Sequence, residues 1–367
     1  MRILRNYILK EILPLLGLSF ALLTLAFLAG NMVKLADSII NKGVEFKYVG
    51  KLFIYYIPYL MSFTVPMGVL TATLLTFGRL SSDNEITAMR ATGISLYKIS
   101  MPVITLGFLL GVLSIPLNDR VVPRAHYKVR MLIKEVGLRH PAALLEAGTF
   151  IRGFKNHILF IYSIKHGKKK AIFNNIRIYE PQKEGPTRTI VARRGELIPV
   201  PDKNMIKLKL MDGTVEEPNP MNPKNLYKLN FKTYYLTLSL DNSTMQESGK
   251  KTKEMTFNEL RKNAEQLKKT GVDPTPLIRR LHKRIAVSFA SLAFVFIGIP
   301  FAITARRSEK SIGMGLAIIL ATIYWLLLAF GNVLATKEII PIWLAMWLGN
   351  IVLIAIGVIT MHFTVRK

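Results

Sequence analysis

The chain has 367 residues, half of them hydrophobic, and a formal net charge of +27 at neutral pH. It contains no cysteine, which excludes disulfides and thiolate metal sites. The mean hydropathy of +0.31 combines very apolar ends with a polar, basic middle, so a single soluble domain is not expected.

Six apolar runs predict an α-helical membrane protein with six transmembrane helices, because each run has about the 20 residues that a helix needs to cross a bilayer. The runs lie near 12–33, 53–77, 96–118, 285–304, 312–334 and 342–363. The first is too long for the apolar core of a signal peptide, so we expect it to be retained after a short interfacial helix. Residues 1–118 then hold three spans, 119–284 form an inserted domain, and 285–367 hold the other three.

Basic residues in the short loops predict the orientation, because such residues are enriched on the cytoplasmic side. With the N-terminus inside, the inner segments hold eleven of them: Arg2, Arg5, Lys10, Arg79, Arg90, Lys98, Arg306, Arg307, Lys310, Arg366 and Lys367. The outer short loops hold five: Lys34, Lys42, Lys47, Lys51 and Lys337. We therefore expect a bacterial inner-membrane protein with both termini in the cytoplasm and residues 119–284 in the periplasm.

A polar segment between the second and third apolar runs predicts a short cytoplasmic helix over residues 81–93. Ser82-x-x-Glu85 has the spacing of a capping box, and Gly93 suits a left-handed C-terminal cap. A capped helix between two spans is typical of an element that docks on a soluble partner. We expect that partner to be an ATPase.

The inserted domain predicts β structure, with alternating apolar residues over 157–164, 172–179, 205–210, 227–232 and 234–240. Asp212-Gly213 predicts a hairpin turn. Short strands separated by turn residues indicate a β-sandwich or a jelly roll. Residues 120–147 are expected to extend the third span as a helix, and Thr256-x-x-Glu259 predicts a capping box that opens a helix ending at Gly271.

Residues 120–284 carry 34 basic and 15 acidic residues, a net charge of +19. Nucleic acid is a common partner of such a charge, but a domain outside the cytoplasmic membrane rarely meets it. Phosphates of anionic lipid or glycolipid are favoured as partners, with a solvated basic surface as the alternative. Lys34, at the end of the first span, either snorkels to headgroups or contacts a substrate phosphate from inside a cavity.

Motifs of catalysis are absent from the sequence. No phosphate-binding loop, no zinc-type histidine spacing and no G-x-S-x-G elbow occurs. The apolar runs carry almost no ionisable residues, so an ion-coupled carrier would lack its intramembrane carboxylates. We expect no catalytic centre, no bound metal and no cofactor.

The chain resembles the lipopolysaccharide export permeases LptF and LptG over nearly its whole length. The similarity is carried by residues 78–95 (GRLSSDNEITAMRATGIS), 118–124 (NDRVVPR), 189–196 (TIVARRGE), 281–285 (LHKRI) and 298–300 (GIP). The segment with Glu85 is more similar to LptF, whereas Lys34-x-x-Asp37 also occurs in LptG.

The resemblance implies a permease subunit of an ABC exporter that extracts lipopolysaccharide from the inner membrane and passes it to a periplasmic bridge. Its implied partners are a sister permease (LptG), an LptB ATPase dimer, LptC and LptA, and the periplasmic domain is implied to be a β-jelly roll. The implied ATPase-coupling residues are Ser82, Asp83, Glu85, Met89 and Arg90. The implied substrate-binding residues are Lys34, Asp37 and Arg120.

Two other functions remain open from the residues. An ABC permease for another lipid or for lipoproteins usually has four spans with its outer domain after the first, whereas the insertion here follows the third. A non-transporting scaffold or sensor normally carries a cytoplasmic signalling module, which we do not expect in the three residues after the last span.

Overall fold

The protein is described here by a computed structural model covering residues 2–40, 45–139, 148, 150–154, 156–166, 171–181, 187–200, 205–218, 226–239, 250–304 and 310–366. Side chains of residues 31–40 lie outside that description. The chain forms two compact units. The helical unit comprises residues 1–30, 54–127 and 251–367, and the sheet unit comprises 31–53 and 128–250.

The helices begin and end close to the predicted apolar runs, but most are longer. They are α1 (Arg2–Ile40), α2 (Phe46–Ser82), α3 (Glu85–Ala91), α4 (Leu96–Pro116), a π-helical segment (Leu117–Val121), α5 (Val122–Arg139), α6 (Phe257–Lys269), α7 (Thr275–Ser288), α8 (Ala290–Thr304), α9 (Lys310–Thr336) and α10 (Ile342–Arg366). The capping box predicted for α6 is confirmed, since the side chains of Thr256 and Glu259 each accept the other's backbone N–H. The interfacial helix before the first span stays a prediction, and its residues are helical and continuous with the span in α1 through Pro14.

Within the described residues, five helical stretches are long and apolar enough to cross a membrane: 2–30, 46–82, 96–133, 313–336 and 342–365. A sixth span results if α7 and α8 count together, although they are bent by 43° at a short break. Phe289 occupies the break, and the buried Asn350 side chain donates to the Ala286 carbonyl one turn before it at 2.8 Å. The count of six spans stays a prediction.

Close contacts between helix backbones organise the core of the helical unit. Helix α8 is buried along most of its length, including Phe294 and Ile297, and it packs against α4 and α10. Gly357 of α10 lies directly against the Phe296 carbonyl, where any Cβ would collide. Small residues allow this approach between helices that share an apolar environment.

The sheet unit contains one antiparallel sheet of six strands in sequential order. The strands are β1 (Phe150–Phe154), β2 (His157–His166), β3 (Ala171–Glu180), β4 (Arg188–Val200), β5 (Met205–Pro218) and β6 (Leu226–Ser239). Three of the predicted strands coincide with β2, β3 and the first half of β5, and the last two predicted segments form the single strand β6. This order is a meander, and the two-sheeted jelly roll stays a prediction.

The hairpin predicted at Asp212-Gly213 is wrong, because both residues lie inside β5. Asp212 has a left-handed backbone with φ +54°, and the ladder to β4 keeps its register on both sides of it. Leu210 and Val215 are both buried although they are an odd number of residues apart. Simple alternation would place them on opposite faces. The left-handed residue therefore shifts the alternation by one and keeps the apolar face continuous.

Candidate functional site

The short helix between the second and third apolar runs begins later than predicted. Ser82 is the last residue of α2, so it does not cap α3, and the predicted Ser82–Glu85 capping box is wrong. Asn84 precedes α3 with φ +59° and makes no side-chain cap bond. The Ser82 hydroxyl is buried without a hydrogen-bond partner among the described residues. The helix thus covers Glu85–Ala91 rather than 81–93.

The C-terminal end of α3 is closed as the sequence predicted. Gly93 has φ +84°, and its N–H donates to the Arg90 carbonyl at 2.9 Å. The Ile94 N–H donates to the Met89 carbonyl at 3.2 Å. These two bonds form a Schellman motif, which satisfies carbonyls that the helix end leaves free. The left-handed glycine cap is therefore confirmed.

Glu85 is held by residues of α1 and α2. The Tyr7 hydroxyl donates to Glu85 Oε2 at 2.6 Å, and Arg79 Nη2 lies 3.9 Å from Glu85 Oε1. Arg79 also pairs with Glu11 at 3.1 Å. Sequence analysis did not find Tyr7 or Glu11, which are more than 70 positions away. The only sequence signal was a lone acidic residue just before the first apolar run.

The Arg90 side chain contacts the C-terminal end of α10. Its guanidinium donates to the Thr364 carbonyl at 3.3 Å and to the Val365 carbonyl at 3.0 Å, in the last turn of that helix. A cation is favoured there because the terminal carbonyls are unpaired and carry the negative end of the helix dipole. Ile86 is buried in the same core cluster as Ile8. Helix α3 is therefore fixed to α1, α2 and α10.

One face of α3 is exposed and carries short side chains. Thr87, Ala88 and Ala91 are exposed, as are Asp83 and Asn84 before the helix. Met89, in contrast, is partly buried against the core of the helical unit. Such a face suits insertion of a helix into a groove of another protein. Of the five predicted coupling residues, only Asp83 lies on the exposed side of this element.

Asn118, within the π-helical segment, bonds to side chains of α2 and α7. The Ser62 hydroxyl donates to Asn118 Oδ1 at 2.7 Å, and Asn118 Nδ2 donates to Ser288 Oγ at 3.0 Å. Asn118 is buried. π-Helical turns are rare and often occur at functional sites. The motif Asn118–Arg124 of the sequence thus marks a polar junction inside the helical unit.

Of the three predicted substrate-binding residues, the structure describes the side chain of Arg120 alone. Arg120 has a side chain that is 72% exposed and lies 3.9 Å from Asp119. Asp119 accepts the Phe257 N–H at 2.6 Å, at the start of α6. Lys34 and Asp37 lie on helical backbone in α1, but their side chains fall outside the described set. A common site for the three residues therefore stays a prediction.

A cavity of about 320 Å³, which sequence analysis did not predict, lies between α2, α5, α7 and α9. Tyr59, Phe63 and Trp325 form an aromatic wall. Basic side chains of α7 line the cavity as well: Arg279, Arg280, Lys283 and Arg284. Their spacing on one helical face was the sequence signal that could have revealed it.

Asp273 lies just before α7 and accepts the Thr275 N–H at 2.9 Å. Hydrogen bonds from Thr275 lower the pKa of the fully exposed Asp273 carboxyl. Because the pKa is lowered, this hydrogen bond stabilises the start of α7 at pH values above the ordinary pKa of aspartate. The contact is lost as the pH falls through the lowered value.

The comparison with protein families decides the identity of the chain. The family model for the lipopolysaccharide export system permease LptF/LptG matches residues 6–362. This chain belongs to the LptF/LptG family. No curated protein matches it. As an LptF/LptG permease with several apolar helices, it is a multi-pass inner-membrane protein and a transport subunit of lipopolysaccharide export, not a catalytic enzyme.

Proposed function

We propose that this LptF/LptG permease transmits work from a partner ATPase to lipopolysaccharide, which it extracts from the inner membrane and passes to a periplasmic bridge. The observation that supports the proposal is the construction of α3. One side is anchored to three helices through Glu85, Ile86 and Arg90, while the opposite side is exposed. Such an element can be moved by a bound partner and can move the helices beneath it.

Energetics require an external source of work. Moving acyl chains from a bilayer into water costs about 0.8 kcal/mol per CH₂, and a lipid with several chains greatly exceeds thermal energy. Transfer into an apolar protein surface lowers this cost but does not remove the need for work. The sequence has no phosphate-binding loop of its own, so the work enters from a separate ATPase through α3.

Family membership supports the proposed assembly. The permease pairs with a sister subunit, each binds one copy of an LptB dimer, and LptC and LptA receive the lipid. The sequence of the α3 segment favours LptF for this chain. Both termini lie in the cytoplasm, and residues 119–284 form the periplasmic jelly-roll domain with its flanking helices. The phosphorylated substrate contacts Lys34, Asp37 and Arg120 near the periplasmic surface of the inner membrane.

Glu85→Arg tests the coupling role of α3. We expect the variant to remain in the membrane and to lose ATPase recovery. The Glu85 side chain is bonded to Tyr7 but is still 33% exposed, so reversing its charge turns an acidic contact with the ATPase into a repulsive one. A broken charge pair in an interface costs about 2 kcal/mol or more. The measurement is the ATPase-to-permease ratio after purification of the full complex, together with ATP-driven lipopolysaccharide release.

Tyr7→Phe is the matched control, since it removes the 2.6 Å bond to Glu85 and leaves the carboxylate in place. ATPase recovery should stay at the native ratio in this variant. Full ATPase recovery and sustained export by the Glu85→Arg variant would refute the role of Glu85. Equal losses in both variants would show that Glu85 acts by holding α1, not by contacting the ATPase.

A further inference from the structure

The cavity of the helical unit is lined by one face of α7. Arg279, Arg280, Lys283 and Arg284 follow the i, i+3, i+4 spacing of neighbours on a helix surface. The opposite face is apolar, and Leu277 and Leu281 pack in one cluster with Leu260 of α6. Packing on α6 therefore fixes the direction in which the basic face points.

The positive charge at this cavity is not balanced by the described residues. None of the described side chains that line it is acidic, and Lys253 adds a further cation. Arg280 and Lys283 make no hydrogen bond or ion pair with any described residue. The Asp119 carboxylate acts electrostatically on Arg284, but it already accepts the Phe257 N–H.

Two of the four basic residues of α7 hydrogen-bond to other described segments of the helical unit, and two do not. Arg284 donates to the carbonyls of Met255 at 2.6 Å and Lys253 at 2.9 Å, and Arg279 donates to Thr336 Oγ1. Arg280 is half-buried and Lys283 is exposed. Like charges one helical turn apart destabilise a helix. A bound anion would remove that repulsion, and Arg280 and Lys283 are the side chains available to contact it.

An ordered aromatic wall faces the basic residues. Tyr59 packs edge-on against His126 with ring centroids 5.0 Å apart, and Phe63 packs against Trp325 at the same separation. The cavity volume of about 320 Å³ falls within the range of small-molecule sites. A ligand that suits both walls has an anionic part and an adjoining apolar part.

The cavity also lies far from α3 within the helical unit. Tyr59 and Ser82 are both on α2, and their separation of 23 positions corresponds to about 35 Å of helix. That length approximates the thickness of the hydrocarbon layer. Tyr59 and α3 are therefore separated along α2 by about the thickness of that layer.

We propose that this cavity binds the phosphate group of a lipid headgroup, with Arg280 and Lys283 as phosphate contacts and Tyr59, Phe63 and Trp325 beside the adjoining apolar part. Arg120, the one predicted substrate-binding residue whose side chain is described, is not among the described residues that line the cavity. Only the choice of lipopolysaccharide as one source of the phosphate rests on the proposed function. The phosphate comes either from lipopolysaccharide or from a bilayer phospholipid.

Lipid binding to the purified full-length chain tests the site. Delipidated protein in detergent is titrated with lipopolysaccharide, phosphatidylglycerol or phosphatidylcholine, and the bound lipid is counted by native mass spectrometry. Inorganic phosphate serves as a competitor. The test variant is R280Q/K283Q. The matched control is R261Q/K262Q, which removes one Arg and one Lys from the exposed surface of α6.

We expect R280Q/K283Q to weaken binding of the preferred phosphate-bearing lipid by about tenfold or more, since hydrogen bonds to charged groups are lost. The R261Q/K262Q variant should bind as the native chain does. Preference for lipopolysaccharide or for phosphatidylglycerol supports the site and identifies its source. Saturation by inorganic phosphate, with loss of lipid, supports the phosphate contact and assigns it to the free anion.

Equal loss of affinity in both variants would overturn the proposal, because it would show a general effect of surface charge. Unchanged lipid binding by R280Q/K283Q would overturn it as well. Thermal unfolding of each variant verifies its fold, and R280Q alone replaces the double variant if that one unfolds. Glu85→Arg should retain lipid in the same assay, so failure of ATPase coupling is distinguishable from failure of this site.

Discussion

At the scale of single residues, left-handed backbone at two positions keeps the apolar side chains of a strand on one face of the sheet. Asp212 in β5 and Asn175 in β3 both have positive φ, of +54° and +51°. Asn and Asp adopt this conformation more readily than other residues with a Cβ. On both sides of Asn175, Phe173 and Ile176 are buried, an odd number of residues apart. Each residue therefore lets its strand bury apolar side chains on one face throughout.

Asp212→Val is expected to destabilise the sheet by about 1–2 kcal/mol, since a β-branched side chain is poorly tolerated in the left-handed region. Asp212→Gly should be close to neutral. Hydrogen exchange of the β5 amides in the full-length chain measures the effect. Thr214→Val, on extended backbone in the same strand, is the control and should leave exchange unchanged. Equal protection in the Val and Gly variants of Asp212 would contradict this account.

Glu85 and Arg90 show how far a residue type alone determines a role. Both were expected to contact an ATPase because they are charged and lie between spans. In the fold, Glu85 accepts a hydrogen bond from Tyr7, and Arg90 donates to the end of α10. The partner of a side chain depends on which helices pack beside it, and local sequence does not contain that information.

At the scale of elements, α3 is short and depends on its neighbours. A seven-residue helix is not stable alone in water. The Schellman motif at Gly93 and the burial of Ile86 stabilise the helix in the folded protein. Its exposed face carries Thr87, Ala88 and Ala91, so a partner can approach its backbone closely.

Ala88→Trp should reduce ATPase recovery, because a large side chain on this face prevents close approach. Overpacking of a fitted surface costs about 1–3 kcal/mol. The co-purified ATPase is measured against the permease, and the unfolding temperature of the permease should not change. Leu109→Trp, at a 52% exposed position in α4, is the control. Normal ATPase recovery with Ala88→Trp would exclude this face from the interface.

At the scale of the whole molecule, the orientation in the membrane rests on the asymmetry of basic residues in short loops. Eleven such residues lie on the proposed inner side and five on the outer. The chain has no cysteine, so single cysteines can be introduced without a background signal. Thr92 and Val272 are exposed positions on opposite sides of the proposed arrangement.

A membrane-impermeant thiol reagent should label Val272→Cys in spheroplasts and Thr92→Cys only after the membrane is opened. The physical reason is that charged reagents do not cross the hydrocarbon layer. The labelled fraction is measured by a mass shift on a gel. Labelling of Thr92→Cys in intact spheroplasts would invert the topology and would remove the basis for ATPase coupling through α3.

The sequence by itself determined the features that depend on local or periodic patterns. Apolar runs predicted the long helices because their length matches the bilayer. Alternation predicted three of the strands, and Thr256-x-x-Glu259 and Gly93 predicted helix ends that the structure confirms. These features depend on neighbours within about one turn or one strand, so the residues that decide them are adjacent in the sequence.

Tertiary structure alone decided the features that depend on distant residues. Ser82 continues α2, although its spacing to Glu85 suits a cap, and the hydroxyl of the neighbouring Ser81 donates to the distant Ile303 carbonyl. Asp212-Gly213 lies within a strand because paired strands on both sides hold it there. The aromatic and basic walls of the cavity come from four helices that are far apart in sequence. At these positions tertiary contacts override the conformation that the local sequence favours, because many long-range contacts act together on each one.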